Sequence, residues 1–115
     1  MYIRSAGIAL ALSVALFAPI SAHAQSVMSL NHVVTDNLPH SECMRRGVDT
    51  IRIAGLRHFG TTDEAVWGST NDNRYTAAVY CLTTRDIAVL AVTGTDRNRT
   101  RSIVDDLVAA WRRFQ

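Results

Sequence analysis

The chain contains two cysteines, Cys43 and Cys81, and this pair constrains the fold more than any other feature. If they are bonded, they close a loop of about 39 residues, and restricting such a loop in the unfolded chain stabilises a fold by roughly 4 kcal/mol. The net stability of a small domain is only about 5–15 kcal/mol. The pair lacks the C-x-x-C spacing that is typical of redox sites. We therefore predict a structural disulfide, with a redox pair or a metal site as the alternatives.

The first 24 residues have the pattern of a secretory signal peptide. Arg4 precedes an apolar run at residues 6–17, and the Ala-His-Ala tripeptide at residues 22–24 has the small residues that a signal peptidase requires. The run is shorter than the roughly 20 residues that a membrane-spanning helix needs. We predict cleavage before Gln25 and an exported protein, periplasmic or secreted, in a compartment where disulfides persist. No membrane span is expected in the mature chain.

The remaining sequence predicts the element order α-β-β-β-α. Residues 41–54 have apolar positions at helical spacing, with Ser41 as the N-cap and Gly55 as the C-terminal stop. Short turns join the following strands, which indicates an antiparallel meander. The later elements are predicted at residues 64–69, 74–82, 87–93 and 97–113. After a lead-in at residues 25–38, we predict one domain at residues 39–115. Its fold class is α+β with two layers that the disulfide links. One layer is a three-stranded antiparallel meander, and both helices lie on one face of it. Residues 33–35 or 56–59 could widen the sheet.

Several landmarks of this pattern resemble those of a known group of proteins. The first helix carries one cysteine and ends at Gly55, a Val-Trp-Gly strand follows at residues 66–68, and later strands end near Cys81 and at Gly94. In these features residues 41–114 resemble small uncharacterised exported proteins of proteobacteria. The resemblance implies the α-β-β-β-α fold and the disulfide, and it implies no activity.

A second, apolar sheet face is predicted from the strand patterns. Residues alternate between the two faces of a strand, so Tyr80 and Leu82 lie opposite Cys81, which faces the helices. The last strand is apolar on both sides, whereas two helices cover only one face of a narrow sheet. Exposed apolar patches often mark interaction surfaces. We therefore expect a surface that binds a protein partner or forms a homodimer, and its residues are Tyr80, Leu82, Leu90 and Val92. The alternative is that the N-terminal segment or helix packing covers this face.

Other candidate sites carry weaker signals. A glycine turn before the last helix places Thr95, Arg97 and Arg99 where an anion could bind, but Asp96 is an equally good N-cap for the same amides. His40 and His58 belong to no metal-binding motif, and no nucleophile–base motif is present. We predict no metal, no cofactor and no catalytic residue.

Charge and composition narrow the function further. The chain has no lysine, which excludes Schiff-base chemistry on that residue, and its net charge is +2. Arginine and aspartate alternate instead of forming a basic face, so we predict no nucleic-acid partner. The favoured function is a non-enzymatic exported module, either partner-binding or an envelope accessory or inhibitor protein, that acts through its sheet face. The alternative is a small periplasmic enzyme or ligand carrier that uses His40, His58 or the Arg97 turn.

Overall fold

Among residues 25–114, the structure has five strands, two α-helices and one short 3-10 helix (Thr83–Arg85). The computed structural model describes residues 25–114. The helices are α1 (His40–Ile53) and α2 (Arg97–Arg112). The strands are β1 (Val27–Val34), β2 (Arg57–Thr61), β3 (Ala65–Ser69), β4 (Thr76–Leu82) and β5 (Ile87–Gly94). The predicted signal peptide, residues 1–24, lies outside the described residues and stays a prediction.

All five strands belong to one antiparallel sheet, in the order β1-β5-β4-β3-β2. The α+β class is confirmed, but the three-stranded meander is wrong because the sheet has five strands. β3, β4 and β5 are the predicted meander, and the segments at residues 33–35 and 56–59 contribute to two further strands. The lead-in at residues 25–38 therefore contains an edge strand, β1, which pairs with β5 near the other end of the sequence.

Both helices pack against the same face of the sheet. α1 contacts β3 and β4, and α2 contacts β1 and β5. Gly47 lets α1 approach closely, since a Cβ there would lie 3.2 Å from Val66 and 3.3 Å from Val79. Trp111 of α2 is fully buried. The core between the layers includes Cys43, Ile51, Val66, Val79, Cys81, Leu90, Val92, Ile103, Val104, Leu107 and Trp111.

The predicted disulfide is confirmed. Cys43 of α1 is bonded to Cys81 of β4, with 6.1 Å between their Cα atoms. Both cysteines are buried because each lies on the apolar side of its element, where the two layers meet. The crosslink therefore joins the first helix directly to the central strand of the sheet.

The ends of α1 confirm one sequence prediction and correct another. Gly55 has a φ of +83°, and the Leu56 N–H donates to the Ile51 carbonyl at 3.1 Å, as expected for a glycine stop. The predicted cap at Ser41 is wrong, because α1 begins one residue earlier, at His40. Pro39 occupies the cap position with φ −58° and ψ 149°, and it has no side-chain cap bond.

Candidate functional site

The sheet face opposite the helices is uncovered within residues 25–114. We call it the open face, and the strand pairing arranges most of its side chains in four cross-strand rows. The rows are Met28–Thr93–Thr76, Leu30–Ala91–Ala78–Trp67, His32–Val89–Tyr80 and Val34–Ile87–Leu82.

A trough runs across this face because the second row has small residues in its middle. Ala91 and Ala78 lie between Leu30 and Trp67, so the surface is low at its centre and high at both ends. The resulting groove has a volume of about 290 Å³, and its lining is almost entirely apolar. The lining residues are Met28, Trp67, Thr76, Ala78, Tyr80, Val89, Ala91 and Thr93.

Large side chains with apolar surface stand exposed on the open face. Met28 is 61% exposed, Leu30 62%, Val34 50% and Tyr80 37%. Tyr80 donates its phenolic hydrogen to the Glu64 carboxylate. That hydrogen bond, with the nearby negative charge, raises the pKa of Tyr80, so the phenol stays neutral. The open face thus presents apolar area with an uncharged aromatic at its border.

The four residues of the predicted surface do not share one face. Tyr80 and Leu82 belong to the open face, but Leu90 and Val92 face the helices and are completely buried. Four residues separate β4 from β5, so Leu82 pairs with Ile87 and Tyr80 with Val89. The open face therefore takes the odd-numbered residues of β5.

Sequence reasoning missed several residues of this face, including Met28, Trp67 and Val89. The hydrophobic pattern could not choose a face for β5, because that strand is apolar on both sides. One local signal was available. A hairpin loop of four residues pairs the residue before the loop with the residue after it, and this pairing sets which side chains share a face. Applied to residues 83–86, that rule points to Val89 and away from Leu90.

The predicted anion site is occupied by a side chain of the protein itself. The Asp96 carboxylate accepts a hydrogen bond from the Arg99 N–H at 3.1 Å at the start of α2. This is the capping alternative, in which the aspartate fills the place that an anion would take. Thr95, Arg97 and Arg99 are exposed beside it.

His40 joins three segments. Its Nε2–H donates to the Asp63 carbonyl at 2.7 Å, and its Nδ1 lies 3.2 Å from Thr83 Oγ1. Because a carbonyl can only accept, Nε2 carries a proton, and the threonine hydroxyl can either donate to Nδ1 or accept from it. The ring is exposed and links the start of α1 to the β2–β3 and β4–β5 connections.

The remaining candidates are not brought together with His40. His58 makes local contacts, with Nε2 at 3.0 Å from the Gly60 carbonyl and 2.9 Å from Thr61 Oγ1. Thr83, which contacts His40, lies before β5, and the Arg97 turn lies after it. β5 has eight residues and spans about 25 Å, so it separates the Arg97 turn from His40. No cluster of three or more metal-ligating side chains occurs among residues 25–114.

Comparison with protein-family models and with curated proteins finds no match to this chain. Within the part of the chain that the structure describes, no helix is long and apolar enough to cross a membrane.

Proposed function

We propose that the protein is an exported, non-enzymatic binding module whose open face holds an apolar surface of a partner protein. The observation that carries this proposal is the trough, which is apolar, uncharged and bordered by exposed Met28 and Tyr80. Burying a large apolar side chain contributes about 1.5–3 kcal/mol, so a partner that covers these residues gains affinity from several of them.

The size of the open face supports this function. Four strands about 4.8 Å apart and about 20 Å long present roughly 400 Å² of surface. Apolar patches of roughly 300–600 Å² on monomeric proteins are often functional. The shape also favours a protein partner, because a shallow trough leaves much of a small ligand in water, whereas ligand pockets bury about 70–90% of their ligand.

Export is part of the same proposal and is supported by two features. The first 24 residues have the signal-peptide pattern, and the crosslink between Cys43 and Cys81 belongs to an oxidising compartment. A partner in the cell envelope or outside the cell would meet the protein there, which fits an accessory or inhibitor role.

A second candidate function is a small enzyme that uses His40 as a base. The contact between His40 Nδ1 and Thr83 Oγ1 favours it, because a hydroxyl paired with an imidazole is the first requirement of nucleophilic catalysis. The His40 ring is exposed to solvent, and it does not line the trough, which lies on the open face. We therefore prefer a structural role for His40, tethering the start of α1 to two connections of the sheet.

Three aspartate substitutions test the open face. Tyr80→Asp should leave the protein folded, because the new charge stays in water, and should abolish capture of the partner. Leu90→Asp should unfold the protein, because it places the same charge in the core. Ser102→Asp, at an exposed position of α2, should change neither property. The assay is affinity capture from the envelope fraction of the source cell, alongside thermal melts followed by circular dichroism.

Binding of the apolar dye anilinonaphthalene sulfonate gives a second readout that needs no partner. The folded protein should bind the dye at the trough, and Tyr80→Asp should weaken this binding. Equal capture of the same partner by wild type and Tyr80→Asp contradicts the proposal. A melt of Tyr80→Asp as low as that of Leu90→Asp also contradicts it, because the face would then be internal.

A further inference from the structure

The two edges of the sheet are built differently. β2 is short, begins with Arg57, and has an irregular register between His58 and Gly60. Short length, charge and bulges are the devices by which proteins keep sheet edges from pairing with other chains. β1 has none of them, since its eight residues include no proline and no formally charged side chain. Among residues 25–114, the fold therefore protects one edge of the sheet, at β2, and leaves the other, at β1, without these devices.

The hydrogen-bonding direction along β1 follows from two contacts. The Thr35 N–H donates to the Asp86 carbonyl at 3.1 Å, so odd-numbered residues direct their backbone groups toward β5. The His32 N–H donates instead to its neighbour's side chain, Asn31 Oδ1, at 2.8 Å, which places it on the other side. The outward backbone groups are those of Met28, Leu30, His32 and Val34, with no strand beside them in residues 25–114.

We propose that β1 pairs with β1 of a second copy of this chain, antiparallel across a two-fold axis at Asn31. This register sets Met28 opposite Val34 of the second copy and Leu30 opposite His32 of the second copy. It joins the two sheets into one of ten strands. The His32 N–H then gives up its hydrogen bond to Asn31 Oδ1 and donates instead to the Leu30 carbonyl of the second copy.

The geometry favours a second copy as the occupant of this edge. Pairing about Asn31 brings even-numbered residues opposite even-numbered residues, so every outward N–H and carbonyl meets an outward partner. About eight backbone hydrogen bonds result, close to the roughly ten of a typical interface. β1 contains no Asp, Glu, Lys or Arg, and this register sets His32 opposite Leu30, so no like charges oppose each other and destabilise the pairing. Met28, Leu30 and Val34, at least half exposed in the single chain, gain cross-strand neighbours.

This dimer does not depend on the proposed binding function. The interface is made by the backbone of β1, whereas most of the trough lies on β3, β4 and β5, and Tyr80 on β4 is separated from β1 by β5. Of the residues that line the trough, only Met28 also belongs to β1. Loss of one property therefore need not affect the other.

Amide hydrogen exchange tests the pairing without any substitution. The protein is produced from the full-length gene in an exporting bacterial host, and exchange is followed by NMR over a range of protein concentrations. The amides of Met28, Leu30, His32 and Val34 should become protected as concentration rises. The amide of Val33 should be protected at every concentration, because it points toward β5. Protection of the even-numbered set in a protein that ultracentrifugation shows to be monomeric at the same concentration overturns the proposal and indicates a segment of the same chain on the edge.

A pair of variants at one position tests the same bond. His32→Pro removes the outward N–H without breaking the ladder to β5, and proline is tolerated on the solvent side of an edge strand. We expect the dimer dissociation constant to rise by about tenfold or more, because the two-fold axis removes the bond twice. His32→Ala keeps the N–H and should dimerise as the wild type does. Analytical ultracentrifugation measures association, and melts at low concentration confirm that each variant folds.

Tyr80→Asp separates this inference from the proposed function. It should dimerise normally while losing partner capture. The effect of His32→Pro is read from ultracentrifugation alone, because His32 also belongs to the open face. A wild-type protein that stays monomeric to several hundred micromolar overturns the pairing. A dimer that His32→Pro leaves intact and Tyr80→Asp abolishes also overturns it, because the contact would then lie on the open face.

Discussion

Asp86 connects two segments of the fold from a half-buried position in the β4–β5 turn. It has a φ of 58°, and its carboxylate accepts hydrogen bonds from Thr35 Oγ1 and from the Asn37 N–H, both at 2.6 Å. These bonds attach the segment after β1 to the β4–β5 turn and so hold the edge strand in place. The hydrogen bond from Thr35, followed by that from Asn37, lowers the pKa of Asp86 below its ordinary value.

The lowered pKa of Asp86 predicts a pH-dependent contribution to stability. With its pKa lower in the folded than in the unfolded chain, the carboxylate stabilises the fold above about pH 4, the pKa of a free aspartate, and this stabilisation is lost as pH falls through the folded pKa. Asp86→Asn, which tolerates the same φ, should lower the melting temperature by several degrees at pH 7. The difference from wild type should shrink below about pH 4.

Asp36→Asn is the matched control for this change. Asp36 also has a positive φ, 55°, so the substitution repeats the backbone requirement at a neighbouring exposed site. It should have little effect on the melting temperature at any pH. A difference between Asp86→Asn and wild type that is the same at pH 3 and pH 7 would show that the charge of Asp86 is not the cause.

At the scale of elements, the packing of α1 on β3 depends on a missing side chain. A Cβ at Gly68 would lie 2.6 Å from Ile51 Cγ2 and 3.2 Å from the Arg57 carbonyl oxygen. Ile51 is fully buried, so its branched methyl cannot move into solvent. Overpacking of this kind costs about 1–3 kcal/mol, more than the roughly 0.5–1 kcal/mol that replacing a strand glycine otherwise gains.

Gly68→Ala should therefore lower the free energy of unfolding by about 1–3 kcal/mol, measured by urea denaturation. Gly60→Ala is the control, because a Cβ at that position has nothing within 4 Å. We expect Gly60→Ala to be neutral or slightly stabilising. Equal effects of the two substitutions would mean that contact with Ile51 does not limit how closely α1 approaches β3.

For the whole molecule, the disulfide makes a large contribution to stability that reduction can remove. Reducing the bond between Cys43 and Cys81 frees a loop of about 39 residues and should lower the free energy of unfolding by up to about 4 kcal/mol. Reduction keeps both sulfur atoms in the core, so the effect reports the crosslink more than the packing. We expect a much lower melting temperature in reductant, and no such shift for a variant with both cysteines replaced by alanine. An unchanged melt after complete reduction, verified by thiol titration, would contradict this.

The sequence by itself determined the elements whose signals are local. Helical spacing and a glycine stop located α1, an apolar stripe located α2, and turn residues separated the three strands of the meander. The disulfide followed from the same periodicity, because Cys43 and Cys81 each fall on the apolar side of an amphipathic element. These signals are read within a few residues of one another, so no knowledge of the rest of the chain is required.

Only the tertiary structure decided the width of the sheet and the contribution of β1 to its open face. β1 finds its partner, β5, about 60 residues away, and short edge segments carry little periodicity of their own. β5 is apolar on both sides, so its own pattern favours neither face. The four-residue turn before it is the one local signal for its pairing with β4, and that pairing places Leu90 in the core and Val89 outside. The trough depends on the pairing of β1 with β5 and of β5 with β4, because its lining includes Met28 from β1 and Val89 from β5. Pairing between distant strands is a property of the assembled sheet, and no local pattern in the sequence encodes it.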